Sequence, residues 1–291
     1  MYDIIIIGAG PAGLTAAIYG ARANKKVLVL EALNYGGAII NTPNIENYPV
    51  EESISGFDFA TKLYNQVINL GVEVKFEKVI NINKNEVETN KSKYNTKTTI
   101  IATGLNNRKL LLPNEDKLLG KGISYCATCD GAFFKEKDVA VVGGGNTALE
   151  DALYLSNICN KVYLIHRRNS FRADDITVEK VLDKKNIEVL YDTVVTKING
   201  IDHIESIELN NDKIITIDGL FIAIGKVPNI DFINNIDLTE DGFIKANELC
   251  HTSIENIFVA GDIRNKNLRQ LVTATSDGAI AATEAIKNIN K

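Results

Sequence analysis

Two glycine-rich stretches, each led by a short apolar run, confine this chain to one kind of architecture. Ile4 to Ile7 run into Gly8-Ala9-Gly10-Pro11-Ala12-Gly13, and Val139 to Val142 run into Gly143-Gly144-Gly145-Asn146-Thr147-Ala148. An unbroken apolar run of this length suits a parallel strand buried on both faces. G-x-G-x-x-G/A directly after it is the turn of a dinucleotide-binding unit. The first glycine permits the tight turn, the second lets the backbone approach a pyrophosphate, and the third position brings the helix close to the strand, a place where Ala148 is tolerated. The strand Val27 to Leu30 ends in Glu31, 23 positions after Gly8, and His166 lies the same 23 positions after Gly143. The repeat predicts an α/β fold with two Rossmann-like, three-layer nucleotide-binding domains, and a length of 291 residues agrees with two cores.

The two units differ in charge where the nucleotide's ribose would lie. Glu31 is an acid at the position that binds a ribose hydroxyl, so the first unit suits FAD, held by Gly8, Gly10, Pro11, Ala12, Gly13 and Glu31. In the second unit the acid is replaced by His166-Arg167-Arg168, with Arg172 close behind. Arginines at that point supply the forked donors that a 2′-phosphate requires, so the second unit suits NADPH, held by Gly143, Gly145, Asn146, Thr147, His166, Arg167, Arg168 and Arg172.

The units are not in simple tandem. Ile257 to Ala260 form another apolar strand that ends in Gly261-Asp262, followed by Arg269-Gln270 and a small-residue helix from Asp277 to Ile289. A strand that delivers an aspartate at its C-terminal end belongs to a ligand-bearing α/β sheet. The economical arrangement is a discontinuous FAD domain, residues 1-113 and 242-291, interrupted by an NADPH domain, residues 114-241. The joints fall near Leu112-Pro113-Asn114 and Glu240-Asp241-Gly242, where Pro and Gly break the pattern. Glu73 to Val87 and Asn186 to Ile217 read as short antiparallel strands added to each unit.

Shortly before the second fingerprint stands Cys126-Ala127-Thr128-Cys129-Asp130. A C-x-x-C loop is a geometry in which a thiol can have a lowered pKa and exchange with a partner disulfide, and a nucleotide site nearby supplies electrons. A carboxylate next to Cys129 can protonate a released thiolate, although an aspartate before Gly131 also suits a turn. Zinc would need four ligands, and Cys159, Cys250, His203 and His251 show no spacing that completes the set, so no metal is expected. Four cysteines without framework spacing, an acidic residue at position 3 and an apolar run too short for a membrane predict a cytoplasmic protein. A net charge of −5 offers no broad basic surface for nucleic acid.

Taken in order, Gly8 to Gly13, Gly36-Gly37, Glu46-Asn47-Tyr48-Pro49, Ala102-Thr103-Gly104, Cys126 to Asp130, Gly143 to Ala148, His166 to Arg172, Ala223-Ile224-Gly225 and Gly261-Asp262 resemble the bacterial low-molecular-weight NADPH-dependent thioredoxin reductases over essentially the whole chain. Few other families place redox cysteines inside the inserted nicotinamide domain. The resemblance implies further cofactor contacts at Gly37, Asn47, Ala102, Gly104, Gly261, Asp262, Arg269, Gln270, Ile224 and Gly225. It implies that Cys129 faces the flavin, that Cys126 exchanges with thioredoxin, that Asp130 is the acid/base and that the chain is a homodimer. One position departs from the family: Ala38 stands where a glutamine usually follows the Gly-Gly.

The predicted function is NADPH-dependent, FAD-containing reduction of thioredoxin disulfide through Cys126 and Cys129. Two alternatives keep some of these features: a flavin disulfide reductase with reduced ferredoxin as donor or another protein as acceptor, and a non-enzymatic flavin redox sensor. The intact second fingerprint and the arginines weigh against losing NADPH. Because the nicotinamide and the dithiol lie in one domain and must both reach a flavin held by the other, domain rotation between half-reactions is expected.

Overall fold

The computed structural model describes residues 1–42, 44–228 and 230–290. The chain divides into two compact units, Met1–Asn106 with Val227–Lys291, and Asn107–Lys226. The first opens with β1 (Tyr2–Ile7), α1 (Pro11–Arg22), β2 (Val27–Glu31), α2 (Gly56–Asn69), β3 (Glu73–Phe76), β4 (Val79–Asn83), β5 (Glu86–Thr89) and β6 (Lys93–Ile101). The chain enters the second through β7 (Leu105–Asn107), and this unit contains β8 (Ile123–Ser124), α3 (Ala127–Asp130), β9 (Asp138–Gly143), α4 (Asn146–Ser156), β10 (Lys161–Ile165), α5 (Asp175–Leu182), β11 (Ile187–Leu190), β12 (Val195–Asn199), β13 (Ser206–Leu209), β14 (Ile214–Thr216) and β15 (Gly219–Ala223). The chain leaves it through β16 (Lys226–Pro228) and completes the first unit with β17 (Ile257–Val259) and α6 (Leu271–Ile289).

The sheet of the first unit runs β3-β2-β1-β6-β5-β4, with β17 also against β6. The long strand β6 pairs parallel with β1 and has two further neighbours: its first half pairs antiparallel with β5 and its second half pairs parallel with β17. Alternation along β1 explains the apolar run. Ile4 and Ile6 face a core with α1 and α6, while Ile5 and Ile7 face a second core with Leu28, Leu30, Val79, Ile82 and Val87. Burial of both faces demands apolar side chains at every position, and a three-layer unit results.

The second unit repeats the plan with the order β11-β10-β9-β15-β8, all parallel. Val139 and Val141 pack on α4, and Ala140 and Val142 pack on the antiparallel β12-β13-β14 layer through Ile198, Ile207 and Ile215. The fold is thus the expected pair of Rossmann-like units.

Three expectations need correction. The contact boundaries lie at Asn106/Asn107 and Lys226/Val227, not near Pro113 and Asp241. Leu110 and Leu112 pack on the core of the inserted unit that contains Ala140 and Val142, and the Arg108 N–H donates to the Gly225 carbonyl, so this stretch already belongs to that unit. Conversely Phe232 and Ile233 are buried with Ile244 in the first unit, in the core of Ile5 and Ile7, and the Phe232 carbonyl accepts the Ile82 N–H. Apolar contacts set the boundary where Pro and Gly pointed elsewhere. The strands Glu73–Phe76 and Ile187–Leu190 are also not antiparallel additions: each pairs parallel at the edge of its central sheet, with Leu28 opposite Glu73 and Val162 opposite Ile187. Finally, α6 begins at Leu271, well before Asp277, because Gln270 and Thr273 form a capping box at its start.

Candidate functional site

In the first unit, β1 feeds a turn whose glycines are demanded by contact. Gly8 has φ +104°, and a Cβ there would overlap the Ala102 carbonyl, while one at Gly13 would overlap the Gly8 carbonyl. Gly10 is different. A Cβ there would meet nothing nearer than the Gly37 Cα at 3.9 Å, so the space beside this backbone is open. Gly10 is the N-cap of α1, Pro11 occupies the first turn, and no side chain caps the helix, which leaves its N-terminal N–H groups and positive dipole end for an anion. Gly36 and Gly37 hold φ values of +100° and +60°, and the Gly36 N–H donates to the Ala9 carbonyl, fixing the facing loop. Ala38 sits exposed beside them.

The Glu31 carboxylate is oriented from both sides. It accepts the Ala9 N–H at 2.8 Å and the Leu33 N–H at 3.0 Å, and each oxygen keeps a lone pair for a ribose hydroxyl. Residues remote in sequence converge in this unit. The Asn47 side chain donates to the Gln270 side chain at 3.1 Å, and Arg269 donates to the Asp262 carbonyl at 3.2 Å with its guanidinium 4.0 Å over the Phe243 ring. Ala102 is buried, Gly104 has φ +63°, and the Thr103 hydroxyl is buried without a hydrogen-bond partner among the described residues.

Sequence reasoning missed the support beneath Gly261-Asp262. The buried Asp277 carboxylate accepts the Gly261 N–H at 3.0 Å, Arg264 at 3.0 Å and Lys266 at 2.7 Å. One residue on, a Cβ at Gly278 would overlap the Ala12 carbonyl, so α6 lies directly on α1. The signal available was Asp277-Gly278 itself, an acid and a glycine inside an otherwise apolar helical pattern.

In the second unit, Gly143 has φ +159°, and a Cβ there would overlap the Ala223 carbonyl. Gly145 is the N-cap of α4 with nothing within 4 Å of its Cβ position, an open cradle like that at Gly10. Gly144 is required because a Cβ would strike the His166 ring. His166 is therefore under the turn, 7% exposed, with Nε2 2.9 Å from the Ser170 carbonyl. Burial pushes its pKa below the ordinary imidazole value. That placement supports the turn and does not turn the ring outward to a ligand. Asn146 is likewise engaged, accepting the Asp174 N–H at 2.8 Å and donating to the Asp174 carboxylate at 2.9 Å. Arg167, Arg168, Arg172 and Thr147 are exposed, and the Arg172 N–H donates to the Gly144 carbonyl at 2.7 Å, which places this arginine beside the cradle. Ile224 leads to Gly225, whose φ is +97° and whose Cβ position is open.

The cysteine pair follows β8 of the same unit, Cys126 as the N-cap of α3 and Cys129 within its single turn. Cys126 and Cys129 form a disulfide with Cα atoms 5.4 Å apart. Ala127 is inserted into the core, Thr128 is exposed, and the Thr128 hydroxyl is 3.5 Å from the Cys126 sulfur. The loop is anchored on two sides that the sequence did not reveal. Ser124 contacts both Cys126 and Asp130, with 2.5 Å between its hydroxyl and Asp130 Oδ2. Glu115, 3% exposed, accepts the N–H groups of Leu110, Leu111 and Leu112 and, at 2.6 Å, the hydroxyl of Tyr125, the residue before Cys126. Burial and this bond raise the Tyr125 pKa. The remaining cysteines are buried and free, with burial pushing Cys159 up to about 11 and Cys250 up to about 12, so neither is a ready thiolate.

Residues 2–278 match the family described as pyridine nucleotide-disulphide oxidoreductase. The chain is 39% identical to thioredoxin reductase from Treponema pallidum (strain Nichols), over 99% of this chain and 97% of that protein. It is 40% identical to thioredoxin reductase from Bacillus subtilis (strain 168), over 97% and 93% of the two. Among solved structures, thioredoxin reductase from Lactococcus lactis in its FR conformation matches with a TM-score of 0.84 and 38% identity, covering 100% of this chain and 99% of that one.

Proposed function

The chain belongs to the pyridine nucleotide-disulphide oxidoreductases, and we propose that its reaction is the NADPH-dependent reduction of a thioredoxin disulfide through FAD and the Cys126–Cys129 pair. The observation that carries this reading is the position of the disulfide, next to β8 and one strand before the second cradle, in a unit that also presents exposed arginines. The open backbone at Gly10, the oriented Glu31 carboxylate and the uncapped α1 N-terminus fit the pyrophosphate and ribose of FAD. Gly145 with Arg167, Arg168 and Arg172 fits a 2′-phosphorylated nicotinamide nucleotide. FAD held in the first unit would supply two-electron chemistry between a nicotinamide and a disulfide.

The protein's own groups do the rest. Cys129 receives the electrons, Cys126 exchanges with thioredoxin, and Asp130 holds and returns the proton. Because dithiol and nicotinamide cradle belong to one unit and the FAD cradle to the other, the units turn on their connectors between half-reactions. No helix among the described residues is long and apolar enough to cross a membrane, and the reading includes a cytoplasmic homodimer. Steady-state assay of the FAD-loaded protein with NADPH, thioredoxin and a disulfide dye tests it. Sustained thioredoxin-dependent dye reduction is expected. NADPH oxidation that thioredoxin does not accelerate would refute the reading.

A further inference from the structure

Ser124 ends the two-residue strand β8 and is 4% exposed. Its hydroxyl lies 2.5 Å from Asp130 Oδ2 and 3.2 Å from the Cys126 carbonyl oxygen, and it accepts the Cys126 N–H at 3.0 Å. A serine hydroxyl has one proton to donate and two lone pairs. The proton goes to the nearer, charge-assisted acceptor, the Asp130 carboxylate, and one lone pair takes the Cys126 N–H. One buried atom thereby fixes both the backbone of the first cysteine and the carboxylate that follows the second. Asp130 is spanned by a single helical turn, its N–H donating to the Cys126 carbonyl at 3.2 Å, so the backbone brings the carboxylate back toward Ser124.

We propose that Ser124 is a positioning residue for proton exchange at the dithiol: it pins Asp130 through Oδ2 and leaves Oδ1 to take and return the proton. This rests on the reading of Cys126 and Cys129 as the exchanging pair. In the exchange, the Cys126 thiol gives up its proton and attacks one sulfur of the partner disulfide. The partner's S–S bond breaks, and the displaced sulfur takes up a proton. The Cys129 thiol then gives its proton to Asp130 and attacks the Cys126 sulfur of the mixed disulfide. The second partner sulfur leaves as a thiolate and receives that proton from Asp130. The enzyme dithiol is oxidised to a disulfide, the partner disulfide is reduced to a dithiol, and two electrons and two protons move. Without Ser124, the carboxylate loses the bond that orients it and samples other rotamers, so the transfer slows although Asp130 is still present.

The test uses the full chain and its Ser124→Ala, Ser124→Thr, Asp130→Asn and Ser124→Ala/Asp130→Asn variants. Each protein is reduced with dithiothreitol, desalted and mixed with dithiobis(nitrobenzoate), and the fast release of thionitrobenzoate is timed. Buried Cys159 and Cys250 do not contribute to that phase. Ser124→Ala is expected to slow release about tenfold, and Ser124→Thr, which keeps the hydroxyl, to restore it to within about threefold. Asp130→Asn is expected to slow release at least as much, and the double variant to be no slower than Asp130→Asn alone, the coupling expected when one residue acts through the other. Wild-type release in Ser124→Ala or in Asp130→Asn, failure of threonine to rescue, or losses that multiply in the double variant would each overturn the proposal. The assay needs neither NADPH nor thioredoxin, so failure of the thioredoxin reductase reading shows separately, as absent NADPH turnover in wild type with the serine effect intact.

Discussion

Behind the Gly8 to Gly13 turn the protein places buried charge and close helix packing; behind the Gly143 to Ala148 turn it places a buried imidazole and polar contacts nearer the surface. In the first unit Asp277, paired with Arg264 and Lys266, holds the Gly261 N–H, and α6 presses Gly278 against α1. In the second, His166 lies under Gly144 and Asn146 is tied to Asp174. The two turns share a backbone plan, with the second glycine open in each, and differ in their footing. The difference suits a flavin that stays bound through many turnovers on one side and a coenzyme that enters and leaves at each turnover on the other. Charge follows the same division, with an acid at the end of β2 and arginines after β10.

The largest expected effect comes from closing either open glycine. Gly10→Val should yield protein that purifies without FAD, because a branched side chain fills the space where the pyrophosphate would approach. Gly145→Val should purify yellow yet resist reduction by NADPH. Absorbance of the purified proteins and anaerobic NADPH titration check both, and retention of stoichiometric FAD by Gly10→Val would end the contrast. Next in size is Asp277→Ala, which leaves two buried cations without their acid and should cost about 3 to 5 kcal/mol in denaturant unfolding, with loss of FAD retention. A matching change at His166, such as His166→Gln, should leave FAD content untouched.

The arginine difference is smaller and more selective. Each guanidinium contact to a 2′-phosphate should contribute about 1.5 to 3 kcal/mol, so Arg167→Ala/Arg168→Ala should weaken NADPH binding at least about tenfold while NADH hardly changes. Calorimetry with both coenzymes decides it, and an unchanged preference for NADPH would remove the basis for assigning the second cradle. The smallest effect concerns Asp151 on α4, whose pKa is raised from 3.8 to about 6, chiefly by burial and further by Glu150, with Lys226 opposing. Below about pH 4 the carboxyl is protonated whether folded or unfolded; as pH rises from there to about 6 the unfolded chain gives up the proton that burial makes the folded chain keep, so stability falls across that window and stays reduced above it. Asp151→Asn should therefore raise stability by about 1 to 2 kcal/mol at pH 7, and the gain should vanish near pH 4. A gain that is independent of pH would contradict the burial account.

Much of this plan was legible from period and punctuation. The runs at Ile4 and Val139, the glycine spacings and Glu31 specify parallel strands, turns and the ribose position because each is a local requirement of backbone geometry. Features that depend on what meets across the fold were not. Leu110 and Leu112 lie on the far side of the boundary that Pro113 suggested, since neighbouring side chains in the core decide which unit a connector joins. Glu115 looks like an ordinary surface acid until three consecutive N–H groups and the Tyr125 hydroxyl are found around it. Ser124 carries no motif of its own, and its importance depends on the turn that returns Asp130 to it. His166 was correctly placed at a strand end, but the direction of its ring is set by the missing Cβ of Gly144.

The claim that both cradles serve the Cys126–Cys129 pair is tested most directly by counting thiols. FAD-loaded protein, oxidised thioredoxin and a limiting amount of NADPH are mixed without oxygen, and thioredoxin thiols are measured when the NADPH is consumed. The account predicts two thioredoxin thiols per NADPH in the wild type and none in Cys126→Ser or Cys129→Ser. Full consumption of NADPH without thioredoxin thiols in the wild type, or a serine variant that matches it, would contradict the account.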